Sequence, residues 1–396
     1  MRVAIITESF LPRVNGVTNS VCRVVDELGA RGHDVMVVAP APGPSEYAGL
    51  PVETVPSVSL PGYTDFPVGL ATRRRIEAAL RRFRPDVVHL ASPTVLGAVG
   101  VRAAERLGIP SVAVFQTDLA GFARGYRLWR AIGDDVVWAW LRRIHEHADR
   151  TLAPSSATIQ QLAARGFPRL ARWGRGVDLD RFHPRHRDDE LRRRLAPRGE
   201  VLVGYVGRLA AEKQVRRLIA LRSMPGIRLV VIGSGPSEAG LRRSLPEAAF
   251  LGFRTGEDLS RAYASMDIFV HTGPDETFCQ TVQEALASGV PVVAPASGGP
   301  LDLIDPGGTG YVVGLDDDRH LRRAVALLVT NPAARVRMAR AARASVLERS
   351  WSAVVDDLLG HYAEVAAVRR TAGPRHVTQM ITLSGPLGPL PGLGTW

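Results

Sequence analysis

At 396 residues the chain is too long for one compact core, so two domains are the first expectation. Its 45% hydrophobic content is that of a soluble globular protein, and no apolar run approaches the roughly 18 residues that a membrane-spanning helix needs. The net charge of +11 asks for an acidic partner (nucleic acid, a phosphate-bearing ligand or an anionic membrane), or else reflects compositional bias, since 49 of the 50 basic residues are arginine and Lys213 is the only lysine.

The opening "MRVAIITESF" enters a strand-like run directly, without the charged start, apolar centre and cleavage site of a signal peptide. With only Cys22 and Cys279, far apart in sequence, a reduced cytoplasmic protein without a disulfide framework is expected. Apolar runs at residues 2–7, 34–40, 86–90, 111–115 and 150–154 alternate with helical patterns, and the scheme repeats at 201–207, 227–233, 248–252, 267–272 and 291–295. Near-continuous apolar strands between amphipathic helices predict an α/β fold with two parallel sheets, each covered on both faces. The domains fall over residues 1–175 and 176–350, joined near "RWGRGVDLDRFHP" (172–184), where Gly and Pro interrupt the periodicity. A helix follows over 351–370, and residues 371–396, rich in Gly and Pro without a sustained period, read as a disordered tail.

Within the first half, residues 71–85 set Arg73, Arg74, Arg75, Arg81, Arg82 and Arg84 against one Glu77, with Ile76, Ala79, Leu80 and Phe83 at helical spacing. Such a basic amphipathic helix either lies on an anionic membrane or buries its apolar face in the core and solvates its arginines. Trp129, Trp138 and Trp140, close to further arginines, favour the membrane, with Arg73, Arg74, Arg81 and Arg82 as contacts. "HEHAD" (145–149) reads as helix surface. No His/Cys/Asp cluster with metal spacing is visible, so no metal is expected.

In open parallel sheets ligands bind beyond the carboxyl ends of the strands. The loops to search are therefore those around Asn15-Gly16, "RLAAEKQV", "SGPSEAG" and "GPDETFCQ". "GSGPSEAG" lacks the third glycine of a dinucleotide fingerprint and no P-loop occurs, which disfavours both enzyme classes. Arg208 and Lys213 flank the turn after strand 201–207, with a helix expected to begin near Lys213. Two cations there suit a diphosphate, although solvated surface residues would look the same. That a chain using arginine everywhere else keeps one lysine here favours the phosphate. In "GPDETFCQTVQEALASGVP" (273–291), Val282, Ala285 and Leu286 form an apolar stripe, so a helix should start near Phe278. The amides of Phe278, Cys279 and Gln280 would then attract an anion. Glu276 precedes that helix and Glu284 lies nearly two turns inside it. Two acids would repel a phosphate, so they are expected to accept bonds from sugar and ribose hydroxyls. A capping carboxylate plus a surface glutamate is the bland alternative.

Together these residues resemble the E-x7-E motif of retaining glycosyltransferases with the GT-B fold, the large group-1 family that uses nucleotide-sugars. "PRVNGVTNSV" is similar to the family's N-terminal Gly loop, "GRLAAEKQV" to its phosphate motif, "GVDLDRF" to its interdomain signature and "LASGVPVVAPASGGPLDLI" to the run after the second Glu. The likeness spans residues 1 to about 368 and is greatest to actinobacterial GDP-mannose-dependent mannosyltransferases that build membrane glycolipids. It implies two Rossmann-like domains facing across a cleft, with the 351–370 helix crossing back to the first. Arg208 and Lys213 would neutralise the donor diphosphate, Glu276 would contact the transferred sugar and Glu284 the ribose. Gly16, Gly207, Gly233, Phe278 and Cys279 would complete the donor side, and Asn15 and Gln116 the acceptor side. Where the family commonly has a His, this chain has Gln116, which cannot titrate, so Asp118 becomes the candidate general base or else a buried structural acid. The resemblance implies a nucleotide-diphosphate sugar as substrate, a lipid or glycolipid acceptor, an anionic membrane surface, no cofactor and no nucleic acid. It also implies a cytoplasmic enzyme peripheral to the inner face of the plasma membrane. Rival readings are a nucleotide-sugar 2-epimerase of the same architecture, a UDP-sugar-dependent transferase with a soluble acceptor, and a non-enzymatic sugar-nucleotide or membrane-binding module.

Overall fold

A computed structural model describes residues 1–13, 15–60, 63–116 and 133–372. Its first half holds β1 (Arg2–Thr7), β2 (Asp34–Pro40), β3 (Glu46–Tyr47), β4 (Leu50–Val55), the hairpin of β5 (Ser57–Leu60) and β6 (Tyr63–Gly69), then β7 (Val87–Ala91), β8 (Ser111–Val114), β9 (Arg150–Ala153) and β10 (Leu170–Arg172). Among the described residues these form an eight-stranded sheet in the order β10-β9-β8-β7-β1-β2-β4-β3, with β5 and β6 apart from it. Only β3 runs antiparallel, against β4.

Val3 stands opposite Val35 and Val87 in this register. Along β1, Val3 and Ile5 share a core with helix α1 (Gly16–Ala30) and the C-terminal helix Trp351–Ala372. Ala4 and Ile6 share the opposite core with α2 (Arg73–Phe83) and α3 (Val95–Leu107). A strand covered on both faces shows no polar alternation, which is why these runs read as uninterrupted apolar stretches.

The C-terminal helix follows the second module in sequence yet covers the first sheet. Val355, Leu358, Tyr362 and Val365 are buried there, Trp173 Nε1 donates to the Val354 carbonyl at 2.9 Å, and the Tyr362 hydroxyl meets His89 Nδ1 at 2.6 Å. Each such apolar side chain contributes roughly 1.5–3 kcal/mol when fully buried. The tail expected to be disordered lies, from residue 373 on, outside the described residues.

The second sheet consists of β11 (Val201–Val206), β12 (Ile227–Ile232), β13 (Ala249–Gly252), β14 (Ile268–Val270), β15 (Val292–Pro295) and β16 (Gly310–Val313), in the order β13-β12-β11-β14-β15-β16. Strand order reverses beside β1 in one sheet and beside β11 in the other. A ligand crevice opens at such a switch point.

Two local expectations are corrected. No α-helix begins at Lys213: the chain makes 3-10 turns over Ala211–Lys213 and Val215–Leu221, separated by Gln214 at φ 46°. Val215, Leu218 and Leu221 are the buried apolar residues, and a spacing of three matches the three residues per turn of a 3-10 helix. The second helix starts at Gln280 rather than near Phe278, after Cys279 at φ 78°. Gly299 N donates to the Glu276 carbonyl at 2.8 Å, and a Cβ on Gly299 would come within 2.0 Å of the Phe278 carbonyl oxygen. This close backbone approach accompanies the bends at Thr277 and Phe278 and the left-handed Cys279, which delay the helix to Gln280. Glu284 accordingly sits little more than one turn into the helix.

Candidate active site

The loops after β1, β8, β11 and β14 converge on one cleft of about 450 Å³ between the two sheets. From the first domain come Glu8, Asn15, Gly16 and Gln116, and from the second Gly207, Arg208, Lys213, Glu276, Phe278 and Cys279. The domains touch at its floor, where Thr277 Oγ1 donates to the Gln116 carbonyl at 3.0 Å. The side chain of Asn15 caps α1 by accepting from the amides of Val17 and Thr18, each at 3.0 Å, and so aims the positive end of this helix at the cleft.

Lys213 and Glu276 form the centre. Lys213 Nζ donates to Glu276 Oε1 at 2.7 Å, and His271 Nε2 stands 3.3 Å from the same oxygen. Burial alone would raise the Glu276 pKa, but Lys213 and His271 outweigh it and hold the carboxyl at about 2, so the group is ionised. Burial likewise opposes the charge on Lys213, and Glu276 restores it, leaving the ammonium shifted upward. On His271, burial is overcome by the Cys279 sulfur and the Glu276 carboxylate, and the imidazole is shifted upward. Among the described residues neither ring nitrogen of His271 has a partner in hydrogen-bond geometry, Nε2 meeting Glu276 only as an ion pair, although the residue is 3% exposed. Arg208 reaches Glu212 Oε1 at 3.3 Å on the rim.

His271, Glu276 and Cys279 place one ligand-type atom each within 4.8 Å of one another. This cluster corrects the expectation that no such grouping exists, and spacing could not reveal it because the residues come from a strand end, a loop and a helix cap. An ion there would have to displace the Lys213 ammonium from Glu276 Oε1, so the cluster is better suited to sugar hydroxyls.

Not every anticipated residue joins the cleft. Gly233 (φ 129°) lies against Gly207, where a Cβ would stand 1.9 Å from the Gly207 carbonyl oxygen, so its role here is close backbone approach. Glu284 is half-buried beside Tyr263 and is not among the cleft-lining residues, and its loss of solvent lifts its pKa to about 7. Gln116 Oε1 is taken by Arg175 Nη2 at 2.8 Å. Asp118 and Trp129 lie outside the described residues. His145 of "HEHAD" is buried at 1% exposure rather than on the surface, and burial lowers its pKa to about 3.

The basic helix α2 lies away from the cleft. Ile76, Ala79 and Leu80 are buried in the first domain's core, so α2 has no free apolar face to insert into a bilayer. Arg73, Arg81 and Arg106 surround the buried Glu77 at 3.2, 3.4 and 3.7 Å, Arg82 pairs with Glu53, and Arg74 is exposed. No helix of the described residues is long and apolar enough to cross a membrane.

Residues 14–181 match Glycosyltransferase Family 4, and residues 187–345 match Glycosyl transferases group 1. A GDP-mannose-dependent alpha-mannosyltransferase of Mycobacterium tuberculosis is 52% identical over 378 residues, covering 94% of this chain and 98% of that protein. The chain belongs to the group 1 glycosyltransferases. A second M. tuberculosis relative, a GDP-mannose-dependent alpha-(1-6)-phosphatidylinositol dimannoside mannosyltransferase, is 27% identical over 387 residues, covering 93% of this chain and 98% of that one. Among solved structures, Anabaena Alr3699/HepE in complex with UDP superposes with a TM-score of 0.76 at 18% identity, over 92% of this chain and all of that one, a likeness of fold. Two Rossmann-like domains facing across a cleft are thus the GT-B architecture of this glycosyltransferase, and the family read from the ordered motifs is borne out.

Sequence reasoning passed over Glu8, Arg175 and His271. Glu8 is 2% exposed and accepts from Gly97 N at 3.0 Å, so it serves the start of α3, where Thr94 makes no side-chain cap. Its position right after β1 was the available signal. For His271 the same signal existed, as the residue following β14.

Proposed function

We propose that this glycosyltransferase moves mannose from GDP-mannose to a membrane glycolipid, with retention of anomeric configuration. The carrying observation is the Lys213–Glu276 pair, with Arg208 beside it, facing the N-terminus of α1 across one cleft. Cations and a helix end converging on a ligand-sized cleft suit a diphosphate. The 52% identity to a GDP-mannose-dependent alpha-mannosyltransferase supports this donor.

Two cations and a positive helix end stabilise charge that develops on the departing diphosphate, so the reaction needs no metal or other cofactor. As the bond from the anomeric carbon to the phosphate oxygen breaks, the acceptor hydroxyl attacks from the same face. It then lies beside the departing oxygen, which takes its proton. Glu276 is ionised and committed to Lys213, so it holds the sugar rather than moving a proton. Catalysis here is positioning plus electrostatics.

A lipid acceptor is supported by the relative named for phosphatidylinositol dimannoside. The exposed arginines of α2 support contact with an anionic membrane through charge rather than insertion. Incubation with GDP-mannose and a lipid extract, with chelator present, should yield an α-linked mannolipid. Hydrolysis alone, a β-linked product or a requirement for divalent ions would refute the respective part of the reading.

A further inference from the structure

Arg175 reaches the cleft from the segment that joins the two domains, and the mechanism above leaves it unused. Its Nη2 donates to Gln116 Oε1, a neutral partner, and its Nε is buried with no partner. Among the described residues no carboxylate pairs with it. Glu276, the acid whose field reaches it, is already committed to Lys213 Nζ at 2.7 Å. Its Nη1 also lies 3.1 Å from where a Cβ on Gly16 would stand, so the guanidinium faces the first residue of α1. A cation held against the positive end of a 15-residue helix, without a counter-ion, is unfavourable until an anion joins them.

We infer that Arg175 is a third cation for the donor's diphosphate, supplied by the interdomain segment and aimed by Gln116. Lys213 and Arg208 hold the group from the second domain, the α1 terminus faces it from the first, and Arg175 stands between them with a fork suited to phosphate oxygens. Gln116 then acts as a positioning residue: its oxygen fixes the guanidinium, which a glutamine does without adding a competing negative charge. This inference rests on the donor reading above.

The test is calorimetry of GDP and GMP binding to the full chain, its Arg175→Gln and Arg175→Lys forms, with thermal melts as a fold control. Only GDP carries the terminal phosphate. Arg175→Gln should weaken GDP binding about tenfold or more, as loss of a charge-assisted bond does, and leave GMP within about twofold. Arg175→Lys should recover part of the GDP affinity. Gln116→Ala should weaken GDP in the wild-type background but not in Arg175→Gln, as coupled residues do. Equal losses for GDP and GMP would mark a structural role and overturn the inference, as would unchanged GDP affinity or an effect confined to the acceptor KM. Wild-type protein that binds neither nucleotide would instead sink the donor reading itself.

Discussion

Lys213 and Glu276 meet where the loops after β11 and β14 converge, Nζ to Oε1 at 2.7 Å, and each keeps the other charged in a half-buried place. On the proposed function the lysine therefore has two tasks, neutralising the diphosphate and compensating the acid that would contact the sugar.

Lys213→Ala removes both. Transfer should fall about a hundredfold or more, the usual cost of deleting a stabiliser of developing charge. The acid also loses its main counter-charge. In the wild type Glu276 is lowered to about 2, so its contribution to stability is present above the ordinary carboxylate range and lost as pH falls towards 2. In the variant that loss should begin at higher pH, visible as an acid-unfolding midpoint shifted upward. Near-normal turnover by a folded variant would remove Lys213 from the site.

The two glutamates of the motif should separate in experiment. Glu276→Gln keeps shape but loses the charge that pairs with Lys213, so transfer should suffer while free GDP binds almost normally. Glu284→Ala should weaken GDP binding itself, because the expected ribose contact goes. Calorimetry and turnover measured on both variants would give the opposite pattern if the assignments were exchanged.

Glu284 also predicts a pH dependence. Burial raises its pKa to about 7 from 4.5. Because the folded pKa is raised, the associated stability is fully present below the unfolded value and is lost as pH rises through about 7. Under the expected ribose contact, nucleotide affinity should run the other way, since an ionised carboxylate would accept from ribose hydroxyls better than the neutral acid. GDP affinity should thus weaken as pH falls from about 8 to 6, by at most about tenfold per unit, and Glu284→Gln should flatten the profile. An unchanged slope in that variant would clear Glu284 of the effect.

Much of this was legible in the sequence because its signals are local. Apolar runs such as 2–7 and 201–206 are buried on both faces, and the lone lysine stands out from an arginine-rich chain. What stayed hidden depends on contacts between distant segments. The bend at Phe278 packs against the backbone of Gly299, the His271–Glu276–Cys279 grouping comes from three separate elements, and the setting of Arg175 from Gln116 and Gly16. Helix α2 shows the opposite case. Its composition allowed two faces of use, and only the burial of Ile76 and Leu80 decides that the apolar one belongs to the core.

With its apolar face occupied, α2 can bind a membrane only through charge, and this shapes the last prediction. Each exposed arginine near an anionic surface contributes about 1 kcal/mol, screened over a Debye length. Changing Arg74, Arg81 and Arg82 to Gln removes three positive charges and also leaves Glu53 without its partner. Vesicle binding should then weaken by up to about 3 kcal/mol before screening is counted. Arg73 and Arg106 still flank the buried Glu77, so the fold should survive, and a melting curve will check it. Parent binding should fall steeply with added salt and disappear on neutral vesicles, because no inserted apolar surface remains to hold the protein. Turnover of a water-soluble acceptor should be unaffected, since α2 lines no part of the cleft. Sedimentation that ignores either the triple change or the lipid charge would make these arginines ordinary solvated surface, and the acceptor would have to reach the cleft without help from α2.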